Sequence, residues 1–207
     1  MSGADAHLAR ADPVLAALIA GHGGPLPTER DGRGRPADLY GALVRSIAGQ
    51  QLSVKAARAI YLRLEARFGG RTPTPEQILA DDPEALRAAA GFSRAKVRYL
   101  RSLAEHVQRG ELELDRLAEL DDETVIAELT AVKGIGEWTA HMFLMFTLNR
   151  PDVLPVGDLG VRNAVAAAYG LDRPPGPDEL RALAEPWRPY RTRACLYLWR
   201  SLDNEPA

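Results

Sequence analysis

The chain has 207 residues, 46% hydrophobic and 26% charged, with a formal net charge of −2. That length suits one domain or two small lobes around a real core, and no apolar run approaches the roughly 18 residues of a membrane span. The lone Cys195 excludes an internal disulfide and a cysteine cluster for zinc or iron–sulfur, which suits a reducing cytoplasm.

The opening stretch, Met1 to Leu18, carries Asp5 and Asp12 and lacks a basic segment ahead of an apolar run, which argues against a secretory signal. Asp12-Pro13 reads as an N-cap followed by proline at the first helical position, starting a helix to about Ala20. A Gly/Pro/Arg-rich loop follows from Pro25 to Pro36. Asp38 caps a helix with Leu39, Leu43 and Ile47 on one face. Ser53 caps the next, whose Ala56, Ala57, Ile60 and Leu64 repeat at helical spacing until Gly69-Gly70. Thr74-Pro75 and Asp82-Pro83 start two short helices, Ser93 a longer one with Val97, Leu100, Leu103 and Val107, and Asp121 another through Leu129. An apolar helix spans about Glu137 to Leu148. Pro151 and Pro155 bracket an extended loop, Asp158 opens a helix to about Tyr169, and the last helix carries Cys195, Leu196 and Trp199. No strand alternation is present, so the fold class is all-α.

Two stretches carry chemistry. In Val132-Lys133-Gly134-Ile135-Gly136 two glycines flank one apolar residue between helices. Glycines permit positive φ and leave backbone amides uncovered, so the second helix's N-terminus can face a phosphate. Ile135 would be buried and lock the turn, and the small Thr139 and Ala140 would let the helices cross closely. On the glycines alone an ordinary helical corner is the commoner reading. The second stretch is Leu154-Pro155-Val156-Gly157-Asp158, a Pro/Gly-rich approach to an aspartate at a helix start, where plain N-capping is the usual role.

Together with Ile47-Ala48-Gly49-Gln50-Gln51-Leu52-Ser53 and the segment from Trp187 to Trp199, these blocks, in this order, resemble the helix-hairpin-helix Gly/Pro–Asp DNA glycosylases. The likeness is nearest to the 3-methyladenine DNA glycosylase II branch in its compact form, and spans about residues 12 to 201. It implies two helical lobes with a DNA-binding cleft: residues 38–149 ending in the hairpin, and residues 1–37 plus 150–207 carrying the aspartate. It also implies a monomer acting in the cytoplasm on damaged double-stranded DNA, with no membrane association.

By position, the resemblance makes Asp158 the catalytic carboxylate. Trp138 stands where bifunctional members carry a Schiff-base lysine; an indole forms no imine, so lyase activity is not expected. Trp138 and Trp199 match aromatics of the alkylated-base pocket, with Met142 at a third pocket position. Core packing is an equally common use of either tryptophan, and Trp187 is assigned to packing. Gln50, Gln51 and Leu52 fall where the family inserts a wedge into the duplex, Gln51 being the first choice; a polar inter-helix loop is the plainer alternative. Lys133, Gly134, Ile135 and Gly136 would hold the DNA backbone, with Arg162 or Arg191 adding a phosphate contact. Backbone carbonyls near Thr130, Val132 and Ile135 could hold Na+ or K+; no cofactor is required. The activity implied is excision of alkylated bases without strand cleavage. Excision of another lesion, such as hypoxanthine or ethenoadenine, and non-catalytic, structure-specific DNA binding are the alternatives.

Overall fold

The computed structural model describes residues 2–21, 26 and 38–202. The Gly/Pro/Arg-rich loop expected from Pro25 to Pro36 lies outside them apart from Leu26. Among the described residues there is no strand, and no helix is long and apolar enough to cross a membrane. The chain divides into two compact units, residues 35–143 and residues 1–34 with 144–207.

The 35–143 unit contains α3 (Leu39–Gly49), α4 (Val54–Arg67), α5 (Pro75–Ala80), α6 (Pro83–Ala90), α7 (Arg94–Gln108), α8 (Asp122–Ala131) and most of α9 (Glu137–Phe146). The starts of α3 to α8 follow from local chemistry. Asp38, Ser53, Thr74, Asp82, Ser93 and Asp121 each sit in an extended conformation. Each accepts the backbone N–H three residues on, satisfying a donor that has no partner inside the helix. The apolar stripes then meet: α3 packs on α4 and α7, α4 on α6, and α5 on α7. Leu43, Ile47, Leu64, Leu100, Leu103 and Leu129 are fully buried.

The other unit contains α1 (Gly3–Ala11), α2 (Pro13–Gly21), α10 (Leu159–Tyr169), α11 (Pro177–Leu183) and α12 (Arg191–Leu202). The sequence reading did not include α1 or α11. α1 is started by a reciprocal pair, Ser2 accepting from the Asp5 amide while Asp5 accepts from that of Ser2. Its apolar stripe is short, with Leu8 at the centre, so periodicity alone gave little signal.

Two buried carboxylates tie this unit together. Asp12 accepts from the Val14 and Leu15 amides at 2.8 and 3.2 Å, from Trp187 Nε1 at 2.9 Å and from the Tyr169 hydroxyl. It is thus both the expected cap of α2 and the pin joining α2 to α10 and the Trp187 turn; Trp187 is fully buried, as its packing assignment required. Asp5 accepts from Arg193 and Tyr197 of α12. Burial pushes both carboxyls up. The hydrogen bonds, led by Arg193 for Asp5 and by Tyr169 and Trp187 for Asp12, outweigh it and hold both below the usual carboxylate range.

A folded-state value below the unfolded one gives stability that is present above the unfolded value of about 3.9 and is lost as pH falls. Denaturant melts between pH 6 and pH 2 are therefore expected to show a falling midpoint below about pH 4, with a shallower decline in Asp12→Asn. At pH 7, Asp12→Ala is expected to cost about 2–4 kcal/mol, because Trp187 and two amides lose a buried partner.

Candidate active site

Asp158 caps α10: its Oδ1 accepts the Val161 N–H at 2.7 Å while its carbonyl accepts that of Arg162 at 3.1 Å. The same Oδ1 accepts Trp199 Nε1–H at 2.9 Å. Gly160 makes that second bond sterically feasible. A Cβ there would stand 3.0 Å from Asp158 Oδ1 and 3.1 Å from Trp199 Nε1, wedging the indole off the carboxylate. The Trp199 ring stacks on Phe146 with centroids 6.0 Å apart, and Leu26, Leu196 and Tyr197 form the buried cluster beside it.

The approach to Asp158 is clamped from α12. Arg191 holds Asp152 through both carboxylate oxygens and the carbonyl, at 2.7–2.9 Å. Thr192 Oγ1 accepts the Val153 amide and donates to the Arg150 carbonyl. Val153 through Val156 are buried, and a turn from the Asp158 amide to the Pro155 carbonyl, 2.8 Å, delivers the aspartate. Asp158 as a whole is 9% exposed. Cys195, one helical turn before Trp199, is fully buried, and its thiol is pushed up by that burial and then by the Asp158 charge. It is not a nucleophile.

The hairpin belongs to the 35–143 unit. α8 ends at Ala131, the Ile135 amide closes a turn onto the Val132 carbonyl at 3.0 Å, and Ile135 is buried as expected. The two glycines differ. Gly134 has φ +95, and a Cβ there would lie 2.1 Å from the Tyr99 ring. Gly136 has no positive φ and faces open space, so the strain expected at both is confined to Gly134. Thr139 and Ala140 are buried. Lys133 is exposed, Trp138 is 49% exposed and Met142, one turn on, is half-buried.

The wedge candidates occupy the turn from α3 to α4. Gln50 is half-buried with its amide on the Gly134 carbonyl; Gln51, exposed, has φ +58; Leu52 is 39% exposed. Both arginines expected on phosphate make contacts within the protein. Arg162 Nε donates to the Pro175 carbonyl at 2.7 Å, and Arg191 is spent on Asp152. Sequence reasoning missed Gly160, the Asp152 clamp, Lys96 against the end of α3, and Tyr99 and Ser102 behind the hairpin.

A model of the HhH-GPD superfamily of base excision DNA repair proteins matches residues 44–189. The chain belongs to that superfamily. It is 42% identical over 164 residues to DNA-3-methyladenine glycosylase 1 of Schizosaccharomyces pombe, covering 78% of this chain and 72% of that protein. Among solved structures, a DNA-3-methyladenine glycosidase from Bacillus halodurans superposes with TM-score 0.84 at 42% identity, over 98% of this chain and 90% of that one. A 3-methyladenine DNA glycosylase of S. pombe in complex with abasic DNA gives 0.83 at 36% identity, over 98% and 97%. The all-helical glycosylase fold expected from the sequence is thereby established.

The two hairpin glycines separate folding from surface access. Gly134→Ala is expected to destabilise the protein by about 2–4 kcal/mol through positive φ and overpacking on Tyr99. Gly136→Ala is expected to melt within about 1 kcal/mol of wild type, and equal melting midpoints for the two variants would contradict this placement of Tyr99.

Proposed function

We propose that the chain is a monofunctional glycosylase that hydrolyses the bond between an alkylated base of the 3-methyladenine type and its sugar in duplex DNA, as the first step of base excision repair. The observation that carries this reading is the buried Asp158 carboxylate, fixed by the Val161 amide and the Trp199 indole on one oxygen. Its relatives' names and the fold point the same way.

Alkylation at a purine ring nitrogen makes the base cationic. When the C1′–N bond breaks, the bonding pair moves to the base, which leaves neutral and needs no general acid. The sugar becomes oxocarbenium-like. The Asp158 carboxylate, already oriented by its donors, opposes that developing positive charge without reorganising. Water then adds at C1′ and gives up a proton, leaving an abasic sugar in an unbroken strand. Trp138 and Met142, at i and i+4 on α9, offer an indole and a thioether to the flipped base. Cation–π attraction there contributes about 0.5–2 kcal/mol, so much of the selectivity comes from the weakened bond itself.

The amides at the start of α9 hold the DNA backbone, with Lys133 adding one point charge, and Gln51 is the wedge. Thr130, Val132 and Ile135 offer neutral backbone oxygens, a donor set suited to Na+ or K+. The Val132 carbonyl already accepts one hydrogen bond, which leaves its second lone pair for such an ion. A bound cation would supply positive charge toward a phosphate, while the chemistry stays with Asp158.

Trp199, expected as a wall of the base pocket, takes a positioning role through its N–H. Base release from alkylated duplex is expected to be lost in Asp158→Asn, which still accepts both hydrogen bonds and so removes only the charge. Trp199→Phe keeps the ring and drops the donor, so kcat is expected to fall about 10- to 100-fold with KM near wild type. Near-normal turnover in Asp158→Asn would refute the mechanism.

The product is expected to remain an intact strand until alkali is applied, with no covalent adduct trapped by borohydride. Efficient trapping would show that an amine of this chain performs lyase chemistry despite Trp138.

A further inference from the structure

The turn after α3 and the hairpin lie 84 residues apart in sequence yet are joined directly: Gln50 Nε2 donates to the Gly134 carbonyl at 2.8 Å. One stripe of α7 supports both. Lys96 Nζ donates to the Ala48 carbonyl at 2.8 Å, in the last turn of α3, where the carbonyls lack intrahelical partners. The Tyr99 ring occupies the space that a Gly134 side chain would need. Ser102 Oγ accepts the Lys133 amide at 3.2 Å. Positions 96, 99 and 102 recur every three residues, so they follow one another along the same side of the helix.

We infer that Gln50 and this stripe of α7 lock the Gln50–Ser53 turn and the 132–136 hairpin into one rigid element, with Gln50 a positioning residue between them and not a contact to DNA. The functional use of this lock rests on the reading that both segments engage DNA. The lock itself is a property of the free protein.

Its mechanical sense lies in Gln51. A non-glycine residue at φ +58 holds a rarely populated backbone conformation, and it persists because its neighbours are fixed. Gln50 is held by Gly134, and the Leu52 amide by the Gly49 carbonyl at 3.3 Å. A Cβ on Gly49 would stand 3.3 Å from that of Ala57, so α3 and α4 meet too closely for the turn to slide. A tip that presses into a base stack needs a base that does not yield. Here the reaction force passes through Gln50 to the backbone that grips the phosphate, so wedge and anchor move together.

Amide hydrogen exchange on the free protein tests this. In Gln50→Leu, peptides covering 49–53 and 132–136 are expected to exchange roughly 3- to 10-fold faster, the loss of one part-buried hydrogen bond, while α11 and α12 are unchanged. Affinity for an abasic-site duplex is expected to fall with it. Gln50→Asn keeps the amide but is one methylene short of Gly134, and is expected to behave like Gln50→Leu; it also serves if the leucine variant does not fold. Ser102→Ala is expected to speed exchange of the Lys133 amide. Unaltered hairpin exchange in both Gln50 variants overturns the lock; if affinity still drops, Gln50 acts on the DNA itself. Exchange does not depend on base release. A protein inactive on alkylated DNA whose hairpin exchange nonetheless rises in these variants would refute the glycosylase reading and leave the lock standing.

Discussion

A carboxylate buried at the start of a helix constrains everything around it. Removing an anion from water is costly unless donors replace the lost hydration. For Asp158 the replacements are the Val161 amide and the Trp199 indole. Each imposes a demand on the sequence: the amide requires the helix to begin at Leu159, and the indole requires Gly160 to lack a side chain. The Asp152 clamp then prevents the preceding loop from relaxing the aspartate toward solvent. On the proposed reading, capping and catalysis are therefore not competing roles. The cap supplies the fixed geometry that a transition-state charge needs.

Most of the fold was legible because its punctuation is local. Asp38, Ser53, Thr74, Asp82, Ser93 and Asp121 announce helices through side-chain bonds spanning three residues, and each is found capping. α1 was missed because its apolar stripe is short and the partners that secure it beyond its cap are distant. Asp5 meets Arg193 and Tyr197, 188 and 192 positions away. The candidate site was legible in its residue types and not in its contacts. Asp158 and the hairpin could be found by pattern, but Trp199 read equally well as packing or pocket wall. Nothing in a single sequence says that its N–H is spent on the aspartate. The hairpin glycines looked equivalent for the same reason: Tyr99, 35 residues earlier by numbering, decides which of them must be a glycine.

The arginines show how much positive charge is held by partners within the protein. The chain has 26 basic against 28 acidic residues, and two of its arginines were expected on phosphate. In the structure many are committed internally: Arg191 and Arg188 to Asp152, Arg193 to Asp5, Arg173 to Glu179, Arg67 to Asp81. Such pairs fix loops and helix ends and add little net field. On the proposed reading the hairpin must therefore grip DNA mainly through oriented backbone amides, partial charges that act over one turn of helix and depend on shape. That dependence explains why the structure invests so much in holding the hairpin still. A point charge such as Lys133 tolerates an ångström of play, whereas amide donors do not. On that reading, the bonds from Gln50 and Ser102 and the Tyr99 ring against Gly134 supply rigidity in place of charge in a chain of net charge −2.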